Sequence, residues 1–279
     1  MKSLLAKLKS TLTDSETFLV KGKKVGYDKN NFEELKPRDS KLTFIDGGNA
    51  QIYASSGVSL QVIRLCAYAD FPKLEEFFVL AIKEETKVKL YYEPTQPLPE
   101  ELSPDYTPSQ AIEFIRRLAE LKYAAKFENP ILDGALDFTE ELEKEYISKI
   151  KSVCGLSKTN TFLTDKGMPL TYQLLRYNDK TWYYPLIKGE IEMGMVKLHT
   201  NSKHVFRVDV KNFDVAQLVS HCTDSIFLGY PYGLIEADAY ARISNQELLT
   251  LKSQLLLTKE EMLAENSVNA HEILDKLQF

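Results

Sequence analysis

Three cysteines in 279 residues, Cys66, Cys154 and Cys222, lie far apart and are odd in number. They form neither a CxxC metal site nor a disulfide framework, and they suit a reducing compartment. Long apolar runs are also missing. Lys7 and Lys9 interrupt the leucines at the start, so no secretory leader is read there, and nothing approaches the ~18 uninterrupted apolar residues of a membrane span. Basic excess is absent: the formal net charge is −5, against the footprint of a protein that simply coats DNA. A nuclease is excluded much less, because bound cations mask its acidic centre and its basic contacts can be local. The four histidines, at 199, 204, 221 and 271, have no ligand spacing and are assigned no role. No internal repeat is visible. These absences point to a cytoplasmic globular protein that does not enter a membrane.

What is present is ordinary core-building material: 44% hydrophobic residues, 27% charged, with 15 Tyr and 14 Phe. The chain falls into three stretches. Residues 1–40 hold a short amphipathic helix, with Leu4, Leu5, Leu8 and Leu12 at helical spacing, and then a charged extended connection. Residues 41–247 carry a mixed pattern of strands and helices. Residues 248–279 form a helical extension rich in leucine.

Within the middle stretch, strands are expected at Leu42–Ile45, Gln51–Tyr53, Ser59–Tyr68 and Lys87–Tyr92, before a loop containing Pro94, Pro97, Pro99 and Pro104. Thr107-Pro108-Ser109-Gln110 starts a helix running to about Lys126, with Thr as N-cap and Gln positioned for a capping box. A short buried strand at Ile131-Leu132 leads into Asp133-Gly134, and a helix follows from Thr139 to Lys151. Strands come next at Thr181–Ile187, Glu190–Leu198 and Val205–Val208, then a helix near Val215–His221. Capping boxes at Ser244/Glu247 and Thr258/Glu261 divide the final helical run. The fold class is α/β, a mixed sheet with flanking helices and helical terminal extensions.

Two segments share a form, Phe44-Ile45-Asp46-Gly47-Gly48 and Ile131-Leu132-Asp133-Gly134-Ala135. Each sets an Asp after an apolar run, with glycine next to let the chain turn away, so that the Asp projects from a strand end. An Asp-Gly turn alone would give the same signature. Carboxylates in numbers would suit hard cations such as magnesium or manganese, and two-metal phosphoryl chemistry needs several of them together. Glu113 and Glu120 on the long helix and Asp238 on a late helix supply the others. On the helix alone, both glutamates are equally explained by ion pairs with Arg116 and Arg117.

Together Phe44–Gly48, Ile131–Leu136, Phe206–Asp209 and the run Gly229-Tyr230-Pro231-Tyr232-Gly233-Leu234-Ile235-Glu236-Ala237-Asp238 resemble the NurA nuclease family over about residues 40–247. The resemblance implies a ribonuclease-H-like core and manganese- or magnesium-dependent DNA cleavage, with two ions per site. It further implies 5′–3′ exonuclease and single-strand endonuclease activity, a homodimer, and partnership with the HerA hexameric translocase in DNA end processing and repair. Residue by residue it assigns catalytic and metal-binding roles to Asp46, Glu120, Asp133 and Asp238, with Glu113 in reserve for the helical glutamate. Lys158, Arg207 and Tyr232 are DNA-binding candidates. The bland readings are a solvated loop lysine for Lys158, an internal ion pair with Asp209 for Arg207, and core packing for Tyr232. Many relatives carry His where this chain has Asp238 and Pro where it has Gly233, and Asp lacks the proton chemistry of His near neutral pH. The rival from another class is a catalytically weak partner or scaffold subunit of a DNA translocase complex.

Overall fold

A computed structural model describes residues 23–254, apart from 137, 139, 178 and 223–226. The leucines at 4–12, those at 255–257 and the Thr258/Glu261 box lie outside the described residues. Strands run in the order β1 (Lys23–Lys24), β2 (Glu33–Glu34), β3 (Thr43–Ser55), β4 (Val58–Tyr68), β5 (Pro72–Lys83), β6 (Val88–Glu93) and β7 (Glu101–Leu102). After these come β8 (Pro130–Asp133), β9 (Val153–Ser157), β10 (Phe162–Leu163), β11 (Trp182–Ile187), β12 (Glu192–Lys197) and β13 (Phe206–Lys211). The helices are α1 (Pro108–Ala124), α2 (Glu141–Ser148), α3 (Leu170–Leu174), α4 (Tyr232–Ala241) and α5 (Asn245–Gln254). A 3-10 helix covers Val215–His221, where a helix was expected. Among the described residues no helix is long and apolar enough to cross a membrane.

The chain divides into two compact units that alternate along the sequence. One takes in the described residues as far as Leu42, then Ile131–Asp137 and Lys151–Tyr232; the other takes in Thr43–Pro130, Phe138–Ile150 and the described residues from Gly233 onward.

The second unit is an antiparallel meander, β3-β4-β5-β6-β7, with each strand paired to the next in sequence. Helix α1 packs on β3, β4 and β5. It begins as its sequence dictates: the Thr107 hydroxyl accepts from the Gln110 amide at 3.3 Å and the Gln110 side chain accepts from the Thr107 amide at 3.0 Å. Its apolar stripe, Ala111, Ile112, Ile115, Leu118, Ala119 and Leu121, is buried against the sheet. α5 starts with the expected box, the Ser244 hydroxyl accepting from the Glu247 amide at 3.2 Å and the Glu247 carboxylate from the Ser244 amide at 2.8 Å.

The first unit is a mixed sheet in the order β2-β11-β12-β13-β9-β8, antiparallel except for the parallel pair β8–β9. β1 and β10 pair separately, also in parallel. Trp182 and Tyr184 of β11 are buried with Phe162, Leu170 and Leu174 in one apolar cluster.

Besides the two-residue strands β1, β2, β7 and β10, two strands were not expected from the sequence. β5 begins with charged residues, and Leu74, Glu75 and Glu76 are exposed while Phe77, Val79 and Ala81 are buried, so the alternation is legible only in its second half. β9 is five residues long, holds a glycine and is buried throughout, which leaves no polar alternation to read. A third departure bears on the site. β3 does not end at Asp46; it continues for nine residues through Gly47 and Gly48 to Ser55, merging the two strands expected on either side.

Candidate metal-carboxylate site

Because β3 runs on, Asp46 is a mid-strand residue, half-buried and opposite Cys66 of β4. Its Oδ1 accepts from the Gly47 amide at 2.8 Å. The two glycines serve close approach from opposite faces. A Cβ on Gly47 would overlap the Glu120 carboxylate of α1 and meet Leu65 Cδ2 at 3.0 Å; a Cβ on Gly48 would overlap the Ala241 carbonyl of α4. Alternation along the strand therefore points Gly47 at α1, and Phe44, Asp46 and Gly48 at α4.

α4 lies along β3. A Cβ on Gly233 would fall inside the Phe44 ring, while Ala241 sits over Gly48. Eight helical residues rise ~12 Å and four strand residues ~13 Å, so the two elements keep step and Ala237 comes level with Asp46. Gly233 thus matches a seat on Phe44 that admits no side chain. At ~100° per residue, Glu236 and Asp238 fall on opposite flanks of the buried stripe Gly233, Leu234, Ala237 and Ala241. The Glu236 flank faces β4: Tyr240, one turn on, stacks against Tyr68 at 6.2 Å between ring centroids. Burial raises the Cys66 thiol to about 11, with Asp46 and then Glu236 adding to the shift. Glu236 escaped the sequence reading because it lies beside the more family-like Asp238, and only the helix's rotation shows its facing. Asp238, on the far flank, is ion-paired with Arg242 at 2.5 Å.

Glu120 is buried on α1, and Arg116 reaches it from one turn earlier while also donating to the Gly47 carbonyl at 2.8 Å. Burial pushes the Glu120 carboxyl up to about 8; Arg116 opposes this, whereas Asp46 and Glu113 add to it. Burial works against the Arg116 charge too, but Glu120, Glu113 and Asp46 outweigh it and hold the guanidinium charged. One cation therefore serves three acids. Glu113 is exposed and bound to that same Arg116, so of the two helical glutamates Glu120 is the one that abuts β3. Arg117 turns elsewhere, to the buried Glu143 at 2.7 Å.

In the other unit Asp133 ends β8, and here glycine does turn the chain: Gly134 has φ +132° with open space around it. The Asp133 carboxylate is bound by Lys158 at 2.7 Å, and Lys158 also lies over the Tyr230 ring at 4.9 Å. Arg207 makes the internal ion pair, with Nε to Asp209 Oδ1 at 2.9 Å and its second nitrogen to Oδ2 at 2.8 Å. Asp209, fully buried, also accepts from the Leu136 amide at 2.7 Å and so fixes the backbone just beyond Asp133. Its sign in the sequence is the i, i+2 spacing with Arg207, which puts both on one face of β13. Tyr232 is partly exposed at the start of α4.

In one neighbourhood, Asp46 and Glu120 therefore flank Gly47, the first on the α4 face of β3 and the second on the α1 face. Asp133, Lys158 and Asp209 share another, and Asp238 stands on the flank of α4 turned from β4. Among the described residues no three His, Cys, Asp or Glu side chains stand close enough together to hold a metal ion. Asp46 and Glu120 offer hard carboxylate oxygens, the donor type that a divalent cation takes.

No family model matches the sequence, and no curated protein matches it. Solved structures do match. The NurA nuclease from Sulfolobus solfataricus is 17% identical, with TM-score 0.58 over 91% of this chain and 94% of that one. A crystal structure of NurA bound to dAMP and manganese is 10% identical, with TM-score 0.56 over 94% of this chain and 97% of that one. A NurA structure with manganese gives TM-score 0.56 at 10% identity, over 92% and 99% of the respective chains. The chain has the fold of these proteins along nearly its whole length, a mixed α/β fold of the ribonuclease-H-like type.

Proposed function

We propose that this chain is a divalent-metal-dependent deoxyribonuclease of the NurA type. The observation that carries the reading is the pair of carboxylates flanking Gly47, Asp46 and Glu120, in a chain whose fold matches NurA structures, one of them holding dAMP and manganese. Asp46, Glu120, Asp133 and Asp238 are the proposed ligands of two manganese or magnesium ions, with Glu113 left as the outer partner of Arg116. When bound, the cations would activate water and stabilise the departing oxygen of a phosphodiester.

The chain's own residues do the positioning. The Gly47 amide orients Asp46, Arg116 holds Glu120 against β3, and the Arg207–Asp209 pair fixes the backbone after Asp133. Lys158, already on Asp133, is the proposed phosphate contact, and Tyr232 a contact to the strand. Arg207, buried and engaged on both nitrogens by Asp209, is better suited to positioning than to touching DNA. The finer assignments rest on the family resemblance: 5′–3′ exonuclease and single-strand endonuclease activity, action with a HerA-type hexameric translocase in end processing, and a homodimer.

Incubating the purified protein with linear DNA and manganese, magnesium or chelator tests the reading. Cleavage with either metal and none with chelator is expected; intact DNA under all three would sink it. One observation favours the second reading, a weakly catalytic partner subunit: Asp238, where the family resemblance implies His, is bound to Arg242. Binding to a translocase without cleavage in any metal would select it.

A further inference from the structure

A contiguous exposed aromatic surface with polar groups at its rim marks a candidate ligand site. His204 and Phe227 form such a surface. Their ring centroids lie 4.5 Å apart at 33°, His204 is exposed and Phe227 is 43% exposed. Buried Phe206 and Tyr230 support them, with Phe206–Tyr230 centroids at 5.3 Å and Phe227–Tyr230 at 6.4 Å.

Both backbones are tied down. The Phe227 carbonyl accepts from the Tyr230 amide at 3.0 Å. Gly229, at φ +87°, seats so closely that a Cβ would meet Ser202 Oγ at 2.6 Å. That same hydroxyl accepts from the His204 amide at 3.0 Å. The backbone that carries both rings is therefore fixed by the turn. Lys158 lies over the Tyr230 ring and holds Asp133, so a cation and a proposed catalytic carboxylate stand one aromatic ring away from the shelf.

We propose that the His204–Phe227 pair is a stacking shelf for an unpaired base of a DNA strand whose phosphate is held at Lys158. The proposal rests on the nuclease reading and locates where an unpaired base would be held, because a paired base shows no free face for stacking. Every base has such a face, so the shelf prefers unpaired strands without preferring a sequence.

The test is fluorescence anisotropy of labelled oligothymidine and of a blunt duplex of equal length, with chelator present to prevent cleavage. Phe227→Ala and His204→Ala are each expected to weaken single-strand binding by roughly tenfold and leave duplex binding unchanged, with Phe227→Tyr close to the parent protein. Thermal melting checks that each variant is folded. Unchanged oligothymidine affinity in both alanine variants, or no binding by the parent protein, overturns the shelf. Failure of the nuclease reading looks different: the parent protein would bind oligothymidine in a Phe227-dependent way yet leave linear DNA intact with manganese.

Discussion

Two Asp-Gly pairs that look alike in sequence are unlike in structure. At Asp46 the strand continues, and the following glycines let a helix approach from each face. At Asp133 the strand ends, and the glycine takes a positive φ with nothing near it. The first acid is oriented by packing and the second by a turn. Their counter-ions differ in the same way: Arg116, mostly buried, serves Glu120 and its neighbours, while Lys158, 54% exposed, serves Asp133. A motif thus reports which residue is wanted without reporting what holds it.

Function is where the comparison should vanish. Asp46→Asn and Asp133→Asn are each expected to lower metal-dependent cleavage by on the order of a thousandfold or more, since each removes a ligand charge worth several kcal/mol to the transition state. Gel assays of linear DNA with manganese check this. Undiminished cutting by either variant removes that residue from the site.

Stability is where the two should part most. Arg116→Gln leaves Glu120, Asp46 and Glu113 without their shared cation and is expected to cost about 2–4 kcal/mol in chelator, much of it recovered on adding manganese. Lys158→Gln breaks an exposed pair and is expected to cost at most about 1 kcal/mol. Urea melts with and without manganese measure both. Equal losses would show that burial does not separate the two acids.

The glycines sharpen the same contrast. Gly48→Ala must move the backbone of α4, and a loss of about 2–3 kcal/mol is expected. Gly134→Ala meets open space, so only its backbone angle is penalised, by about 1 kcal/mol. A Gly134 variant that destabilised more than the Gly48 variant would reverse the roles given to the two positions.

The last contrast is in pH. Glu120 has its folded pKa raised to about 8 from an ordinary 4.5. Its proton is therefore bound more tightly in the folded chain, and that contribution is complete below pH 4.5 and lost as pH rises toward 8. In chelator, Glu120→Gln should flatten the fall of melting temperature between pH 5 and 8. Parallel pH profiles for parent and variant would show that Glu120 ionises normally.

Local signals that need no tertiary partner were read directly. The Thr107/Gln110 and Ser244/Glu247 boxes, the apolar stripe of α1 and the alternation of β4, β6, β11 and β12 depend on neighbours within a few residues, and the chain carries both halves of each interaction. The candidates Asp46, Glu120 and Asp133 came from the family resemblance, since residue type alone left turns and ion pairs as equal readings. Other features depended on chain segments far apart. Whether glycine turns a strand or admits a helix depends on what packs above it, so Gly47 and Gly48 were misread where Gly134 was not. Which flank of α4 faces β4 follows from how Gly233 and Ala241 seat on β3, and this set Glu236 rather than Asp238 beside Cys66. The His204–Phe227 pair joins residues 23 positions apart, neither meaningful alone. Sequence by itself determined the capped helices and the alternating strands, because hydrogen bonding and periodicity act locally. Tertiary structure alone decided their facing and their counter-ions, because close packing and charge act across any separation along the chain.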